Sequence, residues 1–324
     1  MRRTFTLFLV FFLSPFASFS QVGEGVGGGA VFFSNCEVLV ESYPEQQSEG
    51  EFLVGPLTFE VAESSGRRRG VDRPTLCQSG FHPVFIVNVA LLYDVSAIPA
   101  VGSNGEVKRL LAQFLEEAEL AFERSLINVR FQPVFIGLAP ESFRSSGNIS
   151  DDIWRIRNNL DIQNLRNIYK ADIVGFWSGW RKAGTPVGSA FTYLRSSCGF
   201  FGGVILPGKS DPWVFLHEIG HPFGMGHNPE SNPEYKYTEY GMFASGHWID
   251  GVFATAMTYA SVCPSGCPLI RYYSNPDVYY LGFPTGVPED RDNSRVGRIA
   301  GPIVSGYRGD GPEFVCVEDE TPEP

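Results

Sequence analysis

The order of apolar and polar positions predicts alternating strands and helices from about residue 82 onward. An apolar run over Val84–Tyr93 predicts a buried strand, and Asn104 and Gly105 then precede a helical segment. Its apolar positions recur at i, i+3, i+4 and i+7, the spacing of one helix face: Val107, Leu110, Leu111, Phe114, Leu115, Ala118 and Phe122. Alternating apolar residues in Ile127–Leu138 predict a second strand.

The alternation continues through the middle of the chain. Asp151–Lys170 predicts one or two shorter helices, and Ile173–Trp177 predicts another strand. The short apolar run Gly202–Leu206 is expected to close the sheet as an edge strand. A further helix is expected to open with Asp211 as its N-cap and Pro212 at its first position. Strands that alternate with helices predict an α/β layer with a largely parallel sheet.

The first twenty residues have the features of a secretory signal peptide. Arg2 and Arg3 are followed by an apolar run over Phe5–Phe16. The small residues Ser18 and Ser20, at the −3 and −1 positions of a cleavage site, would place the new N-terminus at Gln21. The apolar run is too short to span a bilayer comfortably, and no later run reaches ~18 apolar residues. We therefore expect a secreted, extracellular protein without a membrane span.

Residues 21–80 predict a small N-terminal segment that is distinct from the main domain. Two short runs, Glu37–Val40 and Phe52–Val54, have strand character, and the rest has no strong helical period. The basic triplet Arg67–Arg69 is either a processing site or a solvated turn. This segment is a candidate pro-region.

Composition excludes some classes of partner. The chain has 324 residues and a net charge of −11, and the signal segment carries two arginines and no acid, so the exported form is more acidic still. An acidic surface argues against nucleic acid and against stable association with an anionic membrane. The six cysteines suggest disulfides in an exported protein, and the close pair Cys263 and Cys267 favours a bridged loop over a metal site.

The run from His217 to His227 carries the candidate chemistry. His217 and His221 are four residues apart, so on a helix their rings project from one face and can share one Zn²⁺. A catalytic zinc takes three protein ligands, and Gly224 lets the chain turn so that His227 supplies the third. Glu218 lies beside the first ligand, where a carboxylate can act as the general base on a water molecule.

This HExxHxxGxxH run resembles that of the metzincin clan of zinc endopeptidases. The resemblance implies that Met257 is the residue of the Met-turn beneath the metal, and that Tyr259 approaches the metal and stabilises the oxyanion. Further segments are similar to bacterial reprolysin-like and peptidyl-Asp-type metalloendopeptidases, so that the resemblance covers about residues 82–308: the opening from His82, the run from Cys198, Tyr273–Asp277 and Pro284–Gly286.

The family implies an α/β (α+β metzincin) fold for a catalytic domain at 81–316, followed by an acidic tail at 317–324. An upper part at about 82–224 should hold a mixed sheet and two long helices, one of which carries the metal ligands. A lower, irregular part at about 225–316 should hold His227 and Met257, stiffened by disulfides. Substrate should bind between the parts as an extended strand along the sheet edge.

Several residues leave alternatives open. Asn228 stands where reprolysins usually have Asp, which leaves the subfamily undecided. His82 is expected to be structural, and His247 either lines the cleft or lies on the surface. Cys77 could hold the zinc in a latent form, as pro-region thiolates do in some relatives, or could form a disulfide with Cys36.

The sequence thus predicts a secreted zinc-dependent endopeptidase that acts on protein or peptide substrates. One alternative is an exported binding or adhesion module on the same fold, but retention of Glu218 with all three ligands argues against it. The other alternative is a zinc hydrolase of a non-peptide amide. Cleavage of a denatured protein would separate that alternative from an endopeptidase.

Overall fold

A computed structural model describes residues 38–40, 76–192, 196–205, 207, 212–231, 243–309 and 311–319. The chain divides into residues 1–35 and residues 36–324, and everything described belongs to the second unit. The predicted signal peptide, the run Phe52–Val54 and the triplet Arg67–Arg69 lie outside the described residues.

Eleven strands are present in the described part of the chain. The first six are β1 (Val38–Val40), β2 (Phe81–Tyr93), β3 (Val129–Leu138), β4 (Ile173–Ser178), β5 (Gly188–Phe191) and β6 (Phe200–Val204). The others are β7 (Trp248–Ile249), β8 (Phe253–Ala254), β9 (Tyr279–Tyr280), β10 (Phe283–Pro284) and β11 (Phe314–Glu318). Strand β11 takes in Val317 and Glu318, which the sequence analysis assigned to the tail.

The helices are α1 (Ala97–Val101), α2 (Asn104–Arg124), α3 (Ile149–Asn158), α4 (Leu160–Ile168), α5 (Trp213–Gly220) and α6 (Asn293–Val304). Helix α2 begins at Asn104 itself, because the Ser103 side chain caps it by accepting a hydrogen bond from the backbone N–H of Glu106. None of the described helices combines the length and the apolar character that crossing a bilayer would require.

The main sheet has the order β1-β5-β6-β4-β2-β11, and β3 also pairs with β2. Strands β3, β2, β4 and β6 are parallel, whereas β1, β5 and β11 join antiparallel. This mixed, mostly parallel sheet confirms the predicted fold class. The expectation that Gly202–Leu206 forms an edge strand is wrong, because β6 lies between β4 and β5.

Helices cover both faces of the sheet. The predicted apolar face of α2 is buried in full and packs with α5 and α6 in the larger core cluster. The other face carries α3 and α4 over a second cluster that includes Phe176 and Phe200. The sheet is therefore buried on both sides, which explains why every residue of β4 is buried.

The lower part is irregular, as expected. Its short strands form two separate antiparallel pairs, β7 with β8 and β9 with β10. Cys263 and Cys267 are bridged, which confirms the predicted loop. The expectation of two long helices in the upper part is not met among its described residues, where α2 has 21 residues but the metal-ligand helix α5 has eight.

A second disulfide corrects the expectations for Cys77. Cys77 is bonded to Cys316 of β11, which pairs with the first residues of β2. Both the latent thiolate at Cys77 and a Cys36–Cys77 bond are therefore wrong. Cys198, two residues before β6, is also disulfide-bonded.

Candidate metal centre and catalytic site

Helix α5 presents two of the predicted ligands and then ends sharply. Pro212 occupies the N-cap position and Trp213 is the first helical residue, so Pro212 lies one position earlier than predicted, and Asp211 lies outside the described residues. A 3₁₀ turn over His221–Phe223 follows, and Gly224 then takes the left-handed conformation with φ 78°. Its N–H donates to the carbonyl of His221 at 2.7 Å, which ends the helix where the sequence predicted.

The three predicted ligands converge. One ligand atom from each of His217, His221 and His227 lies within 4.8 Å of those of the other two, and all three side chains are buried. The Nε2 atoms of His217 and His227 are 2.9 Å apart. Residues ten positions apart in sequence therefore share one centre.

Hydrogen bonds fix which ring nitrogen faces that centre. The Nδ1 of His217 lies 2.8 Å from the carbonyl oxygen of Ala256, and the Nδ1 of His221 lies 2.9 Å from that of Met225. A carbonyl oxygen only accepts, so each Nδ1 carries the proton and each Nε2 keeps its lone pair. Neutral imidazoles held by backbone carbonyls are the donor set that Zn²⁺ takes, and the residues present therefore fit a zinc site.

Glu218 lies deep in the same site, against a glycine of the sheet. Its side chain is fully buried, although a carboxylate is rarely so. A Cβ built on Gly188, the first residue of β5, would lie 2.0 Å from Oε1 of Glu218. The missing side chain at Gly188 makes room for the carboxylate, a role that nothing in the sequence pattern signalled.

Met257 lies against the end of the metal-ligand helix. It is fully buried, and a Cβ on Gly220 would lie 2.6 Å from its sulfur. The hydroxyl of Tyr273 donates to the carbonyl of Leu216 in α5 at 2.7 Å, which ties the lower part to this helix. Glycine at position 220 thus allows Met257 and Tyr273 to approach the turn between the first two ligands.

Tyr259 comes to the metal centre from the lower part. Its ring centroid is 4.7 Å from that of His227 and 5.8 Å from that of His217. Its backbone N–H donates to Oδ1 of Asn228 at 3.0 Å. The residue that departs from the reprolysin pattern is therefore part of the contact between the third ligand and Tyr259.

The loop that carries the third ligand is braced on its other side by Asn293. The N–H of Gly226 donates to Oδ1 of this buried side chain, and the Nδ2 donates back to the carbonyl of Gly226, both at 3.0 Å. Arg291 binds Glu230 through two nitrogens at 2.7 and 3.1 Å. Burial tends to raise the pKa of Glu230, but hydrogen bonds from Arg291 and Asn228 outweigh it and lower that pKa to about 2.

The remaining histidines lie away from the converging nitrogens. The Nδ1 of His82 lies 2.9 Å from Oδ1 of Asp319, next to the paired residues of β2 and β11. This position is consistent with a structural role. His247 is half-buried and packs on Phe253, and burial together with the Arg291 guanidinium lowers its pKa to about 4. Among the described residues, Asp250 also lies near Cys263 and Cys267, but the disulfide leaves those sulfurs no thiolate to bind a metal.

Comparisons with known proteins agree with this geometry. The family model of metallo-peptidase family M12 matches residues 86–275, more than half of the chain. A peptidyl-Asp metalloendopeptidase of Xanthomonas campestris pv. campestris is 28% identical over 239 residues, covering 69% of this chain and 52% of that protein. A peptidyl-Asp metalloendopeptidase of Stenotrophomonas maltophilia is 27% identical over 241 residues, covering 69% of this chain and 53% of that protein.

The chain thus spans about half the length of the curated relatives it matches. A solved structure of a chaperone–substrate complex has a TM-score of 0.57 at 19% identity, over 69% of this chain and 39% of that one, a likeness of fold alone. The matched residues include β4, β6, α5 and all three converging histidines, which fit the zinc site that M12 peptidases use. The chain belongs to metallo-peptidase family M12.

Proposed function

We propose that this protein is an exported zinc-dependent endopeptidase that hydrolyses peptide bonds in proteins or peptides. The observation that carries the proposal is the convergence of His217, His221 and His227 with the buried carboxylate of Glu218 on the same helix. Three neutral imidazoles leave one position of a tetrahedral metal open, which distinguishes a catalytic zinc site from a structural one.

In the proposed mechanism Glu218 accepts a proton in the first step and donates it in the second. Zinc in such a site polarises a carbonyl oxygen and acidifies a water molecule. A carboxylate of Glu218 takes a proton from that water as its oxygen bonds to the carbonyl carbon, and returns it to the leaving nitrogen as the C–N bond breaks. Burial of the carboxylate between α5 and Gly188 keeps bulk water from competing for that proton.

Two further roles support the hydrolysis. Tyr259, whose ring lies beside those of His217 and His227, would hydrogen-bond to the oxyanion that develops on the substrate carbonyl. Met257 would support the turn between the first two ligands from below. Because the two relatives described above are peptidyl-Asp metalloendopeptidases, peptides that contain aspartate are the first substrates to test.

We also propose export through a signal peptide at 1–20, with residues 21–80 as a pro-region. Disulfides such as Cys77–Cys316 form and persist in oxidising compartments, which supports export. Strand β1 pairs antiparallel with β5, the strand that begins at Gly188 against Glu218. An extended peptide would add to the same edge of β5, so cleavage that releases β1 would free this edge for substrate, while Cys77 stays joined to Cys316.

The test of the catalytic proposal is Glu218→Ala. The variant should keep one equivalent of zinc and its thermal stability, because Glu218 does not ligate the metal. Its casein cleavage should fall by at least ~10²–10⁴-fold, the usual cost of a lost general base. The control is Glu116→Ala, the same change at an exposed position of α2, which should leave both unchanged.

Three outcomes would contradict the proposals. Cleavage by Glu218→Ala within a few-fold of the unaltered protein would remove Glu218 as the base. Cleavage of small amides but not of casein by the unaltered protein would favour the non-peptide hydrolase. Intact-mass measurement after reduction, which breaks the Cys77–Cys316 bond, should show residues 21–80 retained in Glu218→Ala and cleaved off in active enzyme, and retention in active enzyme would contradict the pro-region.

A further inference from the structure

Asn228 uses its whole side chain in hydrogen bonds. It follows the third metal ligand directly and is fully buried. Its Oδ1 accepts from the backbone N–H of Tyr259 at 3.0 Å. Its Nδ2 donates to Oγ of Ser231 at 2.9 Å and to Oε2 of Glu230 at 3.3 Å. The side chain therefore needs an acceptor on one atom and a donor on the other.

We propose that Asn228 is a positioning residue that holds Tyr259 against the third metal ligand, and that Glu230 makes an amide, rather than a carboxylate, necessary at this position. The proposal deepens the proposed endopeptidase function and rests on it for the effect on turnover. The effect on metal retention does not depend on the substrate.

Glu230 is the partner that decides between an amide and a carboxylate. Ser231 has a hydroxyl that can turn to donate instead of accept, so it tolerates either group. Glu230 cannot adapt in this way, because Arg291 binds both of its oxygens and holds it ionised. A second carboxylate at about the Nδ2 position would face that charge with no proton between them.

The position of Glu230 is itself fixed from the lower part. Arg291 also donates to the carbonyl of Gly246 at 3.2 Å, and the N–H of Gly246 donates to the carbonyl of Gly226 at 3.1 Å. Gly226 precedes the third ligand. The hydrogen bonds thus run from the ligand loop through Gly246, Arg291 and Glu230 back to Asn228, so a change at Asn228 cannot be absorbed by moving Glu230 alone.

Displacement at Asn228 would be felt at two places in the metal centre. One is His227, the residue directly before Asn228 in the chain. The other is Tyr259, whose backbone depends on Oδ1 of Asn228 and whose ring contacts that of His227. Substrate side chains are not involved, so the effect should fall on turnover and on metal retention rather than on substrate affinity.

The experiment compares Asn228→Asp with the double variant Asn228→Asp/Glu230→Gln. The single variant should lower kcat by roughly tenfold with KM within about twofold, and should release zinc to a chelator roughly tenfold faster, as is typical of outer-shell changes. In the double variant the Gln amide can donate to the new carboxylate at position 228 while its oxygen accepts from Arg291. It should recover most of the lost kcat and slow zinc release again. Asn164→Asp, the same change at an exposed position of α4, is the control.

Two results would overturn the proposal. One is Asn228→Asp within about twofold of the unaltered protein in both kcat and zinc release, and the other is a double variant no better than the single one. If Asn228→Asp does not fold, Asn228→Ala removes the same hydrogen bond without adding charge. It should show the same loss of kcat and faster zinc release, and unchanged values for both would equally overturn the proposal. Zinc release is measured without substrate, so the zinc-release result can be interpreted even if the endopeptidase proposal fails.

Discussion

Different kinds of interaction stabilise the upper region (residues 81–223) and the lower region (residues 224–309) internally. In the upper region the backbone pairs with itself in parallel ladders and helices, and apolar side chains fill both faces of the sheet. In the lower region, outside α6, buried amides and hydroxyls satisfy backbone groups, as Asn293 does at Gly226 and Thr285 does at the carbonyl of Asn275. The difference shows how one candidate metal site can combine ligands on a rigid helix with a ligand on a loop.

The candidate catalytic groups are divided along the same line. The upper region supplies two ligands and the general base from one helix, whereas the lower region supplies His227, Met257 and Tyr259 from loops. A helix fixes the backbone of the ligands that it carries, whereas the backbone beside a loop ligand needs further hydrogen bonds to stay in position. The polar contacts around His227 meet that need.

The two described disulfides should differ most in their effect on stability. Cys77–Cys316 spans 239 residues and encloses both regions, whereas Cys263–Cys267 spans four within the lower region. The entropy of loop closure assigns about 5 kcal/mol to the first bond and about 2 kcal/mol to the second. Urea unfolding of the two Cys→Ser double variants measures both losses. Equal losses would mean that the lower region depends on its disulfide as much as the whole domain does.

Gly188→Ala should damage activity while leaving the metal in place. The new Cβ would lie 2.0 Å from Oε1 of Glu218, so the carboxylate must move. A shift of about 1 Å in a reacting group costs roughly 10²-fold in kcat. Zinc content should stay at one equivalent, because the three histidines are not touched. Gly105→Ala is the control, since its Cβ would meet only Ser103 Oγ, at 3.9 Å. Loss of zinc in Gly188→Ala would show that the helix, not the carboxylate, had moved.

Asp172 should make the stability of the upper region depend on pH. Burial raises its pKa to about 6, against hydrogen bonds from the backbone of Asn88 and Arg308, which lower it. Since the folded pKa exceeds the unfolded value, this group's stabilisation is present below pH ~4 and is lost as pH rises through about 6, by roughly 2 kcal/mol. Asp172→Asn should remove that slope in urea unfolding between pH 4 and 7. An unchanged slope would assign the dependence to another group.

Tyr273→Phe should have the smallest effect, because it removes one hydrogen bond between the regions. Its hydroxyl donates to Leu216, and loss of such a bond costs about 1 kcal/mol. Tm should fall by a few degrees with kcat little changed, and Tyr279→Phe on the exposed face of β9 should change neither. A fall in kcat without a fall in Tm would mean that this contact aligns the ligands rather than joining the regions.

Local features of this fold are predictable from the sequence, whereas contacts between distant residues are not, for a physical reason. Apolar periodicity located β2, β3, β4 and α2, and the ligand spacing located the metal centre, because both depend on neighbours close in the chain. The Cys77–Cys316 bond and the contact of Gly188 with Glu218 join residues far apart, and no local pattern encodes them. The edge assignment of β6 failed because a run of five residues does not reveal its neighbours.

The pairing of β2 with β11 has a consequence for how this domain can be combined with others. Phe81 at the start of β2 is the register partner of Glu318 at the end of β11, and the Cys77–Cys316 bond joins the same two segments covalently. The segment 81–318 therefore begins and ends at neighbouring points. A domain whose two ends are adjacent can be inserted into a surface loop of another protein with little distortion of either protein.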